Sequence, residues 1–96
     1  MDTQAKGPVA TEIESRLRLA LNPSHLLVID DSHHHAGHSA QAVAGESHFT
    51  VELVSTAFVN QSRLARQRMV NEALRELLAE KVHALRIRAL APGEQG

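Results

Sequence analysis

Seven of the 96 residues are histidine, and five of those, His33, His34, His35, His38 and His48, lie between positions 33 and 48. Neutral imidazole is the commonest protein ligand for metals near neutral pH, and a neighbouring acceptor on one ring nitrogen fixes the tautomer that frees the other. Asp30, Asp31 and Glu46 are close enough in sequence to be such acceptors. The same pattern also fits a plainer reading, in which His33, His34 and His35 are a solvated loop. A strand-opening histidine such as His48 or His83 can likewise serve only as a hydrogen-bonding partner for loop backbone.

The chain has no cysteine, so it offers no disulfide framework, no thiol nucleophile and no thiolate ligand of its own. A closed structural zinc site needs four ligands in tight pairs. His34 and His38 have one such spacing, but on a glycine-containing loop the helical face that gives the spacing meaning is missing. There is no nucleophile elbow, phosphate loop, dinucleotide fingerprint or pocket-like carboxylate pair. Catalysis is not expected.

Nucleic-acid binding is weighed next. Lys plus Arg (10) nearly balances Asp plus Glu (11), so no global field draws polyanions. A local patch is available in Arg63, Arg66 and Arg68, with Arg86 and Arg88 on one face of a later strand. RNA-binding proteins with the element order derived below clamp the backbone with a GXXG loop between two helices. The corresponding stretch, residues 57–63, contains no glycine, and Phe49 and Phe58 are the only aromatics in the chain. Any DNA binding would be weak and steeply salt-dependent. The arginines read equally as a solvated helix face balanced by Glu72 and Glu76 or as a protein-binding patch.

The elements that must position these residues follow from periodicity. Residues 1–10 are polar, hold Gly7 and Pro8, and read as a disordered lead-in. Thr11 to Glu14 forms a capping box that opens a helix with Ile13, Leu17, Ala20 and Leu21 on one face, ended by Asn22-Pro23. His25 to Ile29 is a short apolar run and a buried strand. Residues 32–47 form a long polar loop with Gly37 and Gly45. Phe49, Val51 and Leu53 alternate with Thr50 and Glu52 as a half-buried strand. A helical turn over 56–60 precedes a longer helix capped by Ser62, with Val70, Ala73, Leu74, Leu77 and Leu78 as its core stripe. His83, Leu85, Ile87 and Ala89 alternate with Ala84, Arg86, Arg88 and Leu90 in a third strand, and Pro92-Gly93 ends order before a flexible tail, 93–96.

The expectation is a single α+β domain over 11–92, ordered α-β-β-α-α-β, with a three-stranded mixed sheet and helices packed on one face. A hairpin makes the first two strands antiparallel, and the helical crossover makes the third parallel to the second. Two parallel strands start at the same end of a sheet, where the histidine-rich loop also leaves the first strand. His48, His83 and the loop are therefore predicted to converge. No apolar run approaches the ~18 residues needed to span a bilayer, and residues 1–10 carry no signal-like apolar stretch, so the chain reads as cytoplasmic with no membrane role. A homodimer is compatible with this composition.

With these elements placed, the run Ile29-Asp30-Asp31-Ser32-His33, Ala36-Gly37-His38, Glu46-Ser47-His48-Phe49, Leu53-Val54-Ser55, Phe58, Arg66-Gln67-Arg68-Met69-Val70 and Val82-His83-Ala84-Leu85 resembles the BolA family over roughly residues 11–92. The resemblance implies a class II KH-like fold and a role as partner of monothiol glutaredoxins in iron-sulfur cluster trafficking and iron homeostasis. It implies, as the alternative, a nucleic-acid-binding transcriptional regulator. In the family's heterocomplex a [2Fe-2S] cluster is held by a glutaredoxin cysteine and a glutathione thiol on one side. On the other, the resemblance implies His83 and a loop residue, matched best by His38 after Gly37 at a spacing to Ser47-His48-Phe49 about one residue longer than in animal relatives, with His33, His34 and His35 as alternatives. No cluster is implied for the isolated chain. His48, Arg66 and Arg68 are the candidate partner or nucleic-acid contacts. Two departures stand out: Gln67 replaces a histidine of the family's Arg-His-Arg, and Asn60 replaces a glycine. Asparagine tolerates left-handed geometry, so that turn is expected to survive.

Overall fold

In the computed structural model, which describes residues 7–31 and 47–95, the first helix begins one turn earlier than the capping box suggests. Helix α1 runs Pro8–Leu21 with Gly7 as its N-cap. Proline at the first helical position is pre-set in φ and has no amide to leave unsatisfied. Thr11 thus lies inside the helix, where its hydroxyl donates to the Gly7 carbonyl at 2.9 Å instead of capping. Residues 8–10 are therefore helical rather than part of a lead-in, and Ala10 is buried with Ile13, Leu17 and Leu21. Ala20, expected on that face, is exposed. The helix closes on Asn22 at φ 45°, whose amide donates to the Arg18 carbonyl, and Pro23 prevents its continuation.

Strands β1 (His25–Asp30) and β2 (His48–Val54) pair antiparallel, and β2 pairs parallel with β3 (Ala84–Leu90), in the sheet order β1-β2-β3. The alternation read from sequence holds: Phe49, Val51 and Leu53 are buried, as are Leu26 and Val28 of β1, while Leu85, Ile87 and Ala89 pack partly against the same core. The opposite face of the sheet carries His25, Thr50, Glu52, Arg86 and Arg88.

A 3₁₀ turn, Thr56–Phe58, leads to Asn60 at φ 64°, so the left-handed turn is kept. Ser62 then caps α2 (Arg63–Ala73), its hydroxyl accepting from the Ala65 amide. The long helix expected from the apolar stripe is two helices, α2 and α3 (Arg75–Glu80), meeting at Leu74 with φ −109° and ψ 15°. Val70, Leu74 and Leu77 remain on one buried stripe across the break. Arg16 joins α1 to α3 through Glu76 while also pairing with Glu12, each at 2.8 Å.

Ser55 is a buried joint between elements: its hydroxyl donates to the Leu21 carbonyl at 2.6 Å and accepts from the Ala57 amide at 3.0 Å. Among the described residues, no helix is long and apolar enough to cross a membrane.

Candidate functional site

Parallel pairing of β2 and β3 brings the starts of both strands to one end of the sheet. The His83 amide donates to the Ser47 carbonyl at 2.7 Å, and Ala84 donates to the same carbonyl at 3.3 Å. The Ser47 hydroxyl shares a 2.9 Å hydrogen bond with His48 Nδ1. The His48 and His83 rings lie with centroids 6.2 Å apart and planes inclined by 56°. His83 is exposed and His48 half-buried. Fixed backbone thus aims two imidazoles at one small region, in keeping with the predicted convergence.

The start of the loop reaches the same place. The Asp31 amide donates to the His48 carbonyl at 2.7 Å, and the Asp31 carboxylate accepts a hydrogen bond from the Thr50 hydroxyl. The chain enters residues 32–46 beside His48 and returns from them at Ser47. His33, His34, His35, His38 and Glu46 lie outside the described residues. His25 stands apart, pairing with Glu52 at 2.9 Å opposite Val54, at the far end of β2.

The side chains gathered here offer only nitrogen and oxygen donors, and imidazole is a ligand that suits zinc, copper, iron and nickel alike. Among the described residues, no group of three or more His, Cys, Asp or Glu side chains is arranged to hold a metal ion. Within the described residues the end of the sheet thus gathers two imidazoles and no third such ligand side chain. Ser47 was not singled out from sequence, although it directly precedes His48; its carbonyl and hydroxyl engage both histidines at once.

The candidate arginines divide. The Arg66 guanidinium grips the Glu94 carboxylate through two contacts of 2.6 and 3.0 Å, donates to the carbonyls of Gln61 at 2.9 Å and Ala89 at 3.1 Å, and lies 6.0 Å over the Phe58 ring. It is engaged within the chain, and Glu94 raises its pKa further. In return Arg66, helped by the Ala91 amide, lowers the Glu94 carboxyl from 4.5 to about 2. The segment expected as a flexible tail is pinned at Glu94 because a turn at Gly93, φ 88°, returns the carboxylate to Ala91 and Arg66. Arg68 is exposed on α2, and Gln67 is half-buried beside Arg66.

The BolA-like protein family model matches residues 17–94, and the chain belongs to that family. It is 43% identical over 90 residues to mouse BolA-like protein 1, covering 94% of this chain and 63% of that protein. It is 45% identical over 83 residues to an uncharacterized Sinorhizobium protein encoded in the cobS 5′ region, covering 85% of this chain and 89% of the relative. Among solved structures, the BolA domain of SufE1 from Arabidopsis thaliana superposes with a TM-score of 0.83 at 37% identity, covering 95% of this chain and all (100%) of that one. The solution structure of mouse BolA1 gives 0.76 at 41% identity, covering 96% of this chain and 72% of that one. The three-stranded mixed sheet with its helices is the architecture of those domains.

Proposed function

We propose that this chain is a non-catalytic adaptor that binds a monothiol glutaredoxin and shares a histidine-ligated [2Fe-2S] cluster with it, in cluster trafficking and iron homeostasis. The observation that carries the reading is the His48–His83 pair at one end of the sheet, with rings 6.2 Å apart beside the exit of the histidine-rich loop. His83 is the ligand from the strand start. One loop histidine, for which His38 is our choice over His33, His34 and His35, is the second. The glutaredoxin cysteine and glutathione supply the thiolates that this cysteine-free chain lacks. Imidazole in place of thiolate on one iron raises the reduction potential of such a cluster.

This chain's own contribution is positional. Ser47 orients His48 through its hydroxyl and His83 through its carbonyl, so exposed imidazole is presented from fixed backbone instead of a wandering side chain. A nucleic-acid role is less well supported, because Arg66 is engaged within the chain and Phe58, which could have stacked on a base, is buried. The test is co-purification with a monothiol glutaredoxin in the presence of glutathione, followed by visible absorption. The proposal expects a coloured heterocomplex, and a colourless mixture of non-interacting proteins would overturn it.

A further inference from the structure

Away from the histidines, the C-terminal half of β3 and the start of α2 enclose a groove of about 770 Å³, whose lining includes Gln61, Arg63, Gln67, Ile87 and Arg88. One wall of it is a strand edge. Among the described residues β3 is an outer strand, bonded to β2 alone. The Leu90 carbonyl turns inward and accepts from the Ser55 amide, whereas the Ala89 carbonyl turns outward, where Arg66 meets it. By the alternation of a β-ladder, Leu85 and Ile87 also direct their backbone groups outward.

We propose that this edge and groove bind an extended segment of a partner protein in which acidic and apolar residues alternate. The alternation follows from the side chains flanking the edge. Arg86 and Arg88 lie on the open face of the sheet, Arg88 with its Nε 3.5 Å from the Glu52 carboxylate, while Leu85 and Ile87 lie on the helix side, partly buried against the core. A strand added to β3 places alternate side chains beside each set, so one set meets guanidinium and the other meets aliphatic carbon. Arg63 opens α2 with no acidic residue in that first turn, which adds positive charge at the groove's rim.

Antiparallel pairing with a second copy in the register centred on Ile87 is disfavoured, because it sets Arg86 against Arg88 twice, and like charges directly opposite are destabilising. Nucleic acid also fits poorly, since the groove has no aromatic lining on which a base could stack. At the groove's far end the Glu94 carboxylate is gripped through two contacts by Arg66 and closes the edge at Ala91. An incoming segment therefore pairs along Ala84–Arg88 and stops at the Arg66–Glu94 pair. The inference does not depend on cluster sharing and is tested on the chain without it.

The experiment titrates the protein, followed by amide NMR, with an end-blocked hexapeptide of alternating glutamate and valine. The expected result is saturable binding with shifts concentrated at Leu85 and Ile87. N-methylation of alternate peptide residues, which removes donors while keeping charge and shape, should weaken binding by about tenfold or more, because main-chain hydrogen bonds supply the affinity in strand addition. Arg86→Glu should weaken the glutamate peptide and strengthen its lysine counterpart, and that reversal itself reports a folded variant. Absence of saturable shifts along β3, equal binding of the N-methylated peptide, or preferential occupation of the same groove by single-stranded DNA would each overturn the proposal.

Discussion

The backbone amide of His83 donates to the carbonyl of Ser47 at 2.7 Å, while the Ser47 hydroxyl bonds to the ring of His48 at 2.9 Å. One residue thus connects the end of the histidine-rich loop with the starts of two strands. Replacing Ser47 with alanine keeps the carbonyl and removes the hydroxyl. The expected outcome is a changed tautomer balance at His48, read by long-range ¹⁵N NMR of the ring, with the His83 amide shift nearly unmoved. An unaltered His48 ring spectrum would show that Ser47 does not orient it.

Glu94 gives a pH signature. Its folded-state pKa of about 2 lies below the ordinary 4.5, so the Arg66 contact stabilises the fold above the unfolded value and is lost as pH falls through the folded one. Glu94→Gln should lower the thermal midpoint at neutral pH, and its difference from wild type should shrink between pH 4.5 and about 2. Parallel melting curves across that range check this; a gap that stays constant or widens toward low pH contradicts it.

Ser55 is 1% exposed and serves two backbone groups, the Leu21 carbonyl and the Ala57 amide. Ser55→Ala leaves both in a buried setting without that partner, at a cost of about 1–3 kcal/mol for an unsatisfied buried group. Chemical denaturation measures it, and a midpoint equal to wild type would mean that water or a backbone shift replaces the hydroxyl.

Leu53 and Leu74 are 0% and 1% exposed. Truncating either to alanine should cost about 2–5 kcal/mol, a large share of a small domain's stability. Urea midpoints for the two variants test the packing, and small losses at both would place the core elsewhere.

Much of this architecture is legible in the sequence because it rests on local periodicity. Phe49, Val51 and Leu53 alternate as a half-buried strand must, and the helical crossover makes the β2–β3 pair parallel, from which the meeting of His48 and His83 follows. Where the reading differs, the signal was ambiguous or long-range. Gly7 and Pro8 read as breakers, yet the same two residues serve as N-cap and first helical residue. The break at Leu74 is invisible because Val70, Leu74 and Leu77 keep their spacing across it. The Arg66–Glu94 pair joins residues 28 positions apart, which no local pattern announces. Ser47 carries no local signal of its role, since serine before a strand is ordinary; its importance lies in what its two oxygens reach.

The most direct test of the account is the spectrum of the heterocomplex formed with His83→Ala. The apo variant should keep wild-type circular dichroism and stability, since the His83 ring is exposed and its backbone bond to Ser47 remains. In complex with the same glutaredoxin and glutathione, the EPR spectrum of the reduced cluster and its reduction potential should shift away from the wild-type values as an imidazole ligand is lost. Among His33, His34, His35 and His38, one substitution, expected at His38, should reproduce that change. An EPR spectrum and potential for the His83→Ala complex indistinguishable from wild type would contradict the claim that this protein works by lending His83 to a shared cluster.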